Sequence, residues 1–199
     1  MPKIVDHAAR RTELAEAVWQ VIVRDGIDMV SIRSVAARSG WSSGALRYYF
    51  TTRAELLAFA CDQVIDRVSE RIAAAGALHP AAHDRVRAAL HEAMPLDEQR
   101  RTEASIAFAF TALGLSDPYL AQVQHRHFTA MHDLCRDTVD ALDAERTDPR
   151  SPASRARLTT RLHALVDGLS LQGLAGYLDT PHTIAALDEF LHEIAYAAP

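Results

Sequence analysis

Apolar residues recur along almost the whole chain at the three-and-four spacing of a helix, and nowhere with the strict alternation of a half-buried strand. Leu14, Ala17, Val18, Val21 and Ile22 form one such stripe, which predicts a helix over residues 7–24 that Gly26 ends. Ser31 can cap a short second helix whose Ile32, Val35 and Ala36 face inward and which closes at Ser39 and Gly40. Ser42 can cap a third, with Leu46, Tyr49 and Phe50 turned mainly inward. Thr52 with Glu55 makes a capping box for a fourth helix reaching about residue 77, with Leu57, Ala60, Val64, Val68 and Ile72 on its inner face.

The pattern continues with a helix ending near Met94 and Pro95, and another over 97–113 carrying Ile106, Ala109, Phe110 and Leu113, stopped by Gly114. A long helix opening at Asp117 and Pro118 carries Leu120, Val123, Met131, Leu134, Cys135 and Leu142, then dissolves into the polar stretch 144–151, the predicted mobile loop. Two last helices are predicted over 152–178 and 181–197, with proline suited to the first turn of each. The expectation is an all-α fold of about nine helices, with a three-helix head on a larger helical bundle. Composition agrees: alanine occurs 36 times, 20 of the 21 basic residues are arginine, and 8 Gly and 8 Pro leave few helix breakers. At 199 residues the chain fits one ordinary domain or two small ones sharing a core.

Several function classes drop out. Cys61 and Cys135 are too few for a disulfide framework, which suits a reducing compartment, and isolated cysteines on apolar faces read as inert core rather than redox sensors. No apolar run reaches the 18 residues a membrane span needs and no leader pattern opens the chain, so the expected location is the cytoplasm. His79 and His83 are four apart and His125, His127 and His132 cluster, yet no carboxylate or cysteine completes a metal site by spacing. Gly168, Ser170 and Gln172 fall in the register of a nucleophile elbow without its closing glycine, and no phosphate loop appears. Neither a catalytic residue nor a cofactor is expected.

Charge and spacing carry the positive signal. Residues 1–53 hold 8 basic groups against 5 acidic ones, while the remainder holds 13 against 21, so a cationic head sits on an acidic body. Two short helices joined through Gly40 and Trp41 have the dimensions of a helix-turn-helix, and equally of an αα-corner in a bundle. The small residues Ser42, Ser43, Gly44 and Ala45 leave the start of the second one open, and Arg47 and Tyr48 occupy its outer face.

The segment SIRSVAARSGWSSGALRYYFTTRAELL, residues 31–57, closely resembles the DNA-binding segment of the tetracycline-repressor (TetR) family. The match runs through Ser31, Ala36, Gly40, Ser42, Gly44, Leu46, Tyr49, Phe50, Arg53, Leu56 and Leu57. Residues 165–179 more faintly resemble the body of the choline-responsive BetI subgroup, which implies no choline ligand. Arg47 stands where the family often has tyrosine and Ser43 where a basic residue is frequent, so no relative's sequence preference transfers.

The resemblance implies a DNA-binding domain over 1–53 and an effector-binding and dimerisation domain over 54–199. It implies a homodimer that holds a palindromic double-stranded operator through two recognition helices about 34 Å apart, or a multiple, and that releases it when a small effector binds. Arg53, Ser31, Ser42 and Tyr49 are the expected phosphate contacts. Arg33, Ser43 and Arg47 are those for the groove, with Gly44 and Tyr48 beside them. Phe108, Phe110, His127, Phe128, Met131 and Gln172 are the effector-pocket candidates, with plain core as the alternative for each. Leu162, Val166, Leu169, Gly173 and Tyr177, with Leu187 and Leu191, form stripes read as dimer interface, though intrasubunit core fits them too. Two competing readings are a helical small-molecule binder or enzyme without DNA binding, and a helical adaptor that would show no salt-dependent duplex binding.

Overall fold

The computed structural model describes residues 7–196, and among these there are nine α-helices and no strand. They are α1 (His7–Asp25), α2 (Ile32–Ser39), α3 (Ser43–Tyr49), α4 (Arg53–Ala77), α5 (Ala82–Ala93), α6 (Glu98–Gly114), α7 (Pro118–Ala144), α8 (Pro152–Leu174) and α9 (Thr180–Tyr196). The predicted boundaries agree closely except at the end of α8, and a single 3-10 turn at Ile27–Met29 was not anticipated. Ala197, which closes the last predicted helix, lies outside the described residues. No helix among the described residues is long and apolar enough to cross a membrane.

The chain divides into two compact units. One comprises the chain up to Asp66 together with Ile106–Gln124; the other comprises Arg67–Ser105 and everything from His125 on. In the first, α1 buries Leu14, Ala17, Val18, Val21 and Ile22 as its stripe predicts, and the indole N–H of Trp19 donates to the Ala60 carbonyl at 3.0 Å. Leu46, Leu56 and Leu57 are fully enclosed, and the rings of Phe50 and Phe59 meet at 5.2 Å. Where α6 ends and α7 begins, the amide of Gln124 donates to the Thr111 carbonyl across Gly114, whose absent Cβ would lie 2.7 Å from the Gln124 side chain.

The second unit is built around Leu90, Met94, Val139, Leu142, Leu162, Val166, Leu187, Leu191 and Ile194. Leu162, Val166, Leu169, Gly173, Leu187 and Leu191, expected as a dimer surface, are thus buried within the subunit itself. A helical stripe specifies a covered face, and here α8 and α9 cover each other and α5. Of that set only Tyr177 stands in solvent, at 81% exposure.

Ion pairs tie the same unit together. Arg71 on α4 grips Glu103 on α6 with two hydrogen bonds of 3.0 and 2.6 Å and reaches Glu92 on α5 at 2.9 Å. Arg87 on α5 holds Asp188 on α9 the same way. The stretch expected to be a mobile loop is pinned instead. Asp143 is buried and accepts from the Arg150 backbone N–H and guanidinium and from Arg155, while Arg146 donates to the Ala195 carbonyl. Burying that carboxylate requires the loop's arginines to surround it.

Candidate nucleic-acid interface

The helix-turn-helix is assembled by its caps. The Ser31 hydroxyl accepts from the Ser34 N–H, the Ser34 hydroxyl accepts from the Ser31 N–H, and the pair closes a capping box at the start of α2. Ser34 was not foreseen, because a serine substitutes there for the usual Glu or Gln. Gly40 then adopts φ 73°, the left-handed conformation that ends a helix most readily without a Cβ. The Ser42 hydroxyl accepts from the Ala45 N–H to open α3.

The turn leaves α3 attached by a narrow inner face and otherwise open. Leu46 and the following Phe50 are buried, whereas Ser42, Ser43, Gly44, Ala45, Arg47, Tyr48 and Tyr49 are all exposed, Tyr48 to 85%. Tyr49, expected to face mainly inward, is nearly half exposed. Leu46 and Phe50 already fill the inner face of this seven-residue helix, so the Tyr49 ring lies edge-on between Trp41 and Tyr48. A Cβ on Gly44 would meet nothing nearer than the Ser42 hydroxyl at 3.9 Å, so no packing within the unit demands a glycine there. Arg33 and Arg47 are exposed and make no hydrogen bond or ion pair among the described residues.

Arg53, expected to meet phosphate, is also bonded within the head. Its Nε donates to the Val30 carbonyl at 2.9 Å and its Nη2 to the Ile27 carbonyl at 2.6 Å, so the guanidinium is engaged inside the head. Next to it Glu55 accepts from the Thr51 and Thr52 N–H groups and from the Thr51 hydroxyl. Those hydrogen bonds, first the Thr51 backbone one, hold the Glu55 carboxyl below its usual range.

The pocket candidates fall in different units. Phe108 and Phe110 belong to the first, where Phe110 is core at 2% exposure. His127, Phe128, Met131 and Gln172 belong to the second, where Met131 packs on the core and Gln172 is exposed. There His127 and Phe128 sit beside two α8 residues that the sequence reading missed. The His163 ring lies 5.9 Å from Phe128 and 6.1 Å from His132, and its Nε2 faces Asp167 at 3.4 Å. Burial, then the neighbouring His163, pushes the His127 pKa down, and burial pushes the Asp167 carboxyl up against the pull of His163. The four-residue spacing of His163 and Asp167 was the available signal, since it places both on one face of a helix. No cluster able to hold a metal ion occurs among the described residues.

Two family descriptions cover most of the chain: residues 14–59 match "Bacterial regulatory proteins, tetR family", and residues 82–195 match "BetI-type transcriptional repressor, C-terminal". The chain belongs to the TetR family. This TetR-family transcriptional regulator is 36% identical over 177 residues to the HTH-type transcriptional regulator PksA of Bacillus subtilis, an alignment covering 87% of this chain and 83% of PksA. Its fold matches the crystal structure of a transcriptional regulator from Rhodococcus sp. Rha1 with a TM-score of 0.77 at 27% identity, over 92% of this chain and 95% of that one. It also matches a transcriptional regulator from Saccharomonospora viridis, solved in complex with choline, with a TM-score of 0.80 at 21% identity over 94% and 97% of the two chains. The relatives are regulators, not enzymes.

Proposed function

We propose that this TetR-family regulator is a cytoplasmic repressor that holds a palindromic operator as a homodimer and lets go when a small effector binds its body. The observation that carries the reading is the outer face of α3, where Ser43, Gly44, Arg47 and Tyr48 stand open, Arg47 with no hydrogen bond or ion pair among the described residues and Tyr48 against the Tyr49 ring. Arg47, Arg33 and Ser43 read base edges, Gly44 admits the close approach of the duplex, and Ser31, Ser42, Tyr48 and Tyr49 meet backbone phosphates. The reading head extends to Arg53 and the regulatory body starts at residue 54.

The dimer forms through the outward faces of α8 and α9 rather than through their buried stripes. Arg157, Arg161, Ala164 and Leu171 on α8 and Glu189 and Glu193 on α9 are exposed or outward-facing, with opposite charges on the two helices that a twofold axis can pair. The effector, which the choline complex of the Saccharomonospora relative makes a reasonable first probe, binds the DNA-incompetent state better and shifts the population toward it.

The test is to enrich a duplex from a random-sequence pool and titrate wild type and Arg47→Ala on it. The variant should lose about 1–3 kcal/mol of affinity, and an unchanged affinity would remove Arg47 from the interface. Compounds that raise the thermal midpoint, choline first, should release the enriched duplex.

A further inference from the structure

The basic residue that opens α4, Arg53, turns its guanidinium back onto the head's own backbone. Between α1 and α2 the chain runs through Gly26 at φ 89° and the 3-10 turn Ile27–Met29 before reaching the Ser31 cap. The Val30 N–H closes this turn on the Ile27 carbonyl at 3.2 Å. Side chains then hold the turn's carbonyls from outside it: the Ser34 hydroxyl of α2 donates to the Met29 carbonyl at 2.8 Å, and Arg53 of α4 donates to that of Val30 and, as a second donor, to that of Ile27. The Asp28 carboxylate lies 3.8 Å from the same guanidinium. One planar fork thus ties the first residue of α4 to the residue preceding the cap of α2, across 23 positions of sequence. Since α3 follows α2 through the tight turn at Gly40, whatever sets the start of α2 sets how α3 is presented.

We infer that Arg53 is a positioning residue for DNA reading, acting through the 27–30 turn rather than through a phosphate. The inference rests on the DNA-binding reading above. Arginine suits the place because its planar fork presents Nε–H and Nη–H to two carbonyls at a fixed spacing, whereas a lysine ammonium keeps the charge and loses the fork.

Salt dependence separates the two roles. Each phosphate contact contributes about 0.9 to the slope of log affinity against log salt concentration. On the duplex enriched by wild type, Arg53→Ala and Arg53→Lys should both lose about tenfold in affinity at fixed salt, with the slope unchanged. Amide exchange over residues 27–35 should quicken in both without DNA. A slope reduced by about 0.9 in Arg53→Ala, with Arg53→Lys at wild-type affinity and exchange unaltered, would overturn the inference. If Arg53→Ala does not fold, Arg53→Lys alone decides, because it keeps the charge and loses the fork. Failure of wild type to enrich any duplex would instead bring down the DNA-binding reading itself, before a variant is made.

Discussion

Arg71→Met isolates the contribution of the buried ion pair in the second unit. Glu103 is 4% exposed and accepts three hydrogen bonds, two from Arg71 and one of 3.3 Å from Gln99. Removing the guanidinium leaves that carboxylate in a place from which water is excluded, with only the Gln99 amide in contact. Breaking a buried pair from one side costs about 3–5 kcal/mol. The lower end applies, since a quarter of the Arg71 side chain is exposed and Glu92 keeps Arg100 at 3.3 Å. For a chain of this length about 3 kcal/mol lowers the thermal midpoint by roughly 6–12 °C. The assay is helix loss followed by circular dichroism on heating, backed by urea titration. The companion Arg71→Met/Glu103→Met should recover to within about 1 kcal/mol of wild type, because an apolar pair leaves no charge stranded. Arg136→Met, which removes an exposed arginine beside Asp133 and Asp137, should barely move the midpoint. A double variant no better than the single, or Arg71→Met no worse than Arg136→Met, would refute the reasoning.

Three further outcomes are expected. Gly114→Ala should destabilise the first unit by about 1–3 kcal/mol despite alanine's better helix propensity, as the new methyl meets both the Cβ and the amide of Gln124; a raised melting point would contradict the close approach. Burial lowers the pKa of His91, with Arg87 adding to it, and burial lowers that of His127, so below about pH 6.5 the unfolded chain takes up protons that the folded one refuses. The urea midpoint should therefore fall between about pH 7 and pH 5.5, less steeply in His91→Gln/His127→Gln, and equal slopes in the two proteins would exclude these histidines. Burial pushes the Cys135 thiol up to about 12, so the native protein should leave Cys135 unmodified by a thiol-directed disulfide reagent at about pH 8, and rapid labelling mapped to it would count against that burial.

The head was the most legible part of the molecule because its signals are local. Ser31, Gly40 and Ser42 act on backbone groups within three residues, so their spacing alone placed α2, the turn and α3, and the exposure of Arg33, Arg47 and Tyr48 follows from helical geometry. Arg53 was not legible in the same way. A long cation beside a DNA-binding motif reads as a free charge, and only the folded chain brings the carbonyls of Ile27 and Val30 to it. Likewise the polar run 144–151 has the composition of a mobile loop, yet Asp143 draws its arginines inward.

By itself the amino-acid order determined the helical class, nearly every helix boundary and which face of each helix is covered, because caps, breakers and three-and-four periodicity work over a few residues. What covers each face was settled only by the tertiary structure. The stripes of α8 and α9 have the same period whether they meet a second subunit or each other, and their burial at Leu162, Leu187 and Leu191 assigns them to the subunit's own core. The physical reason is that apolar burial has no direction, so a sequence can specify that a surface leaves water without specifying its partner.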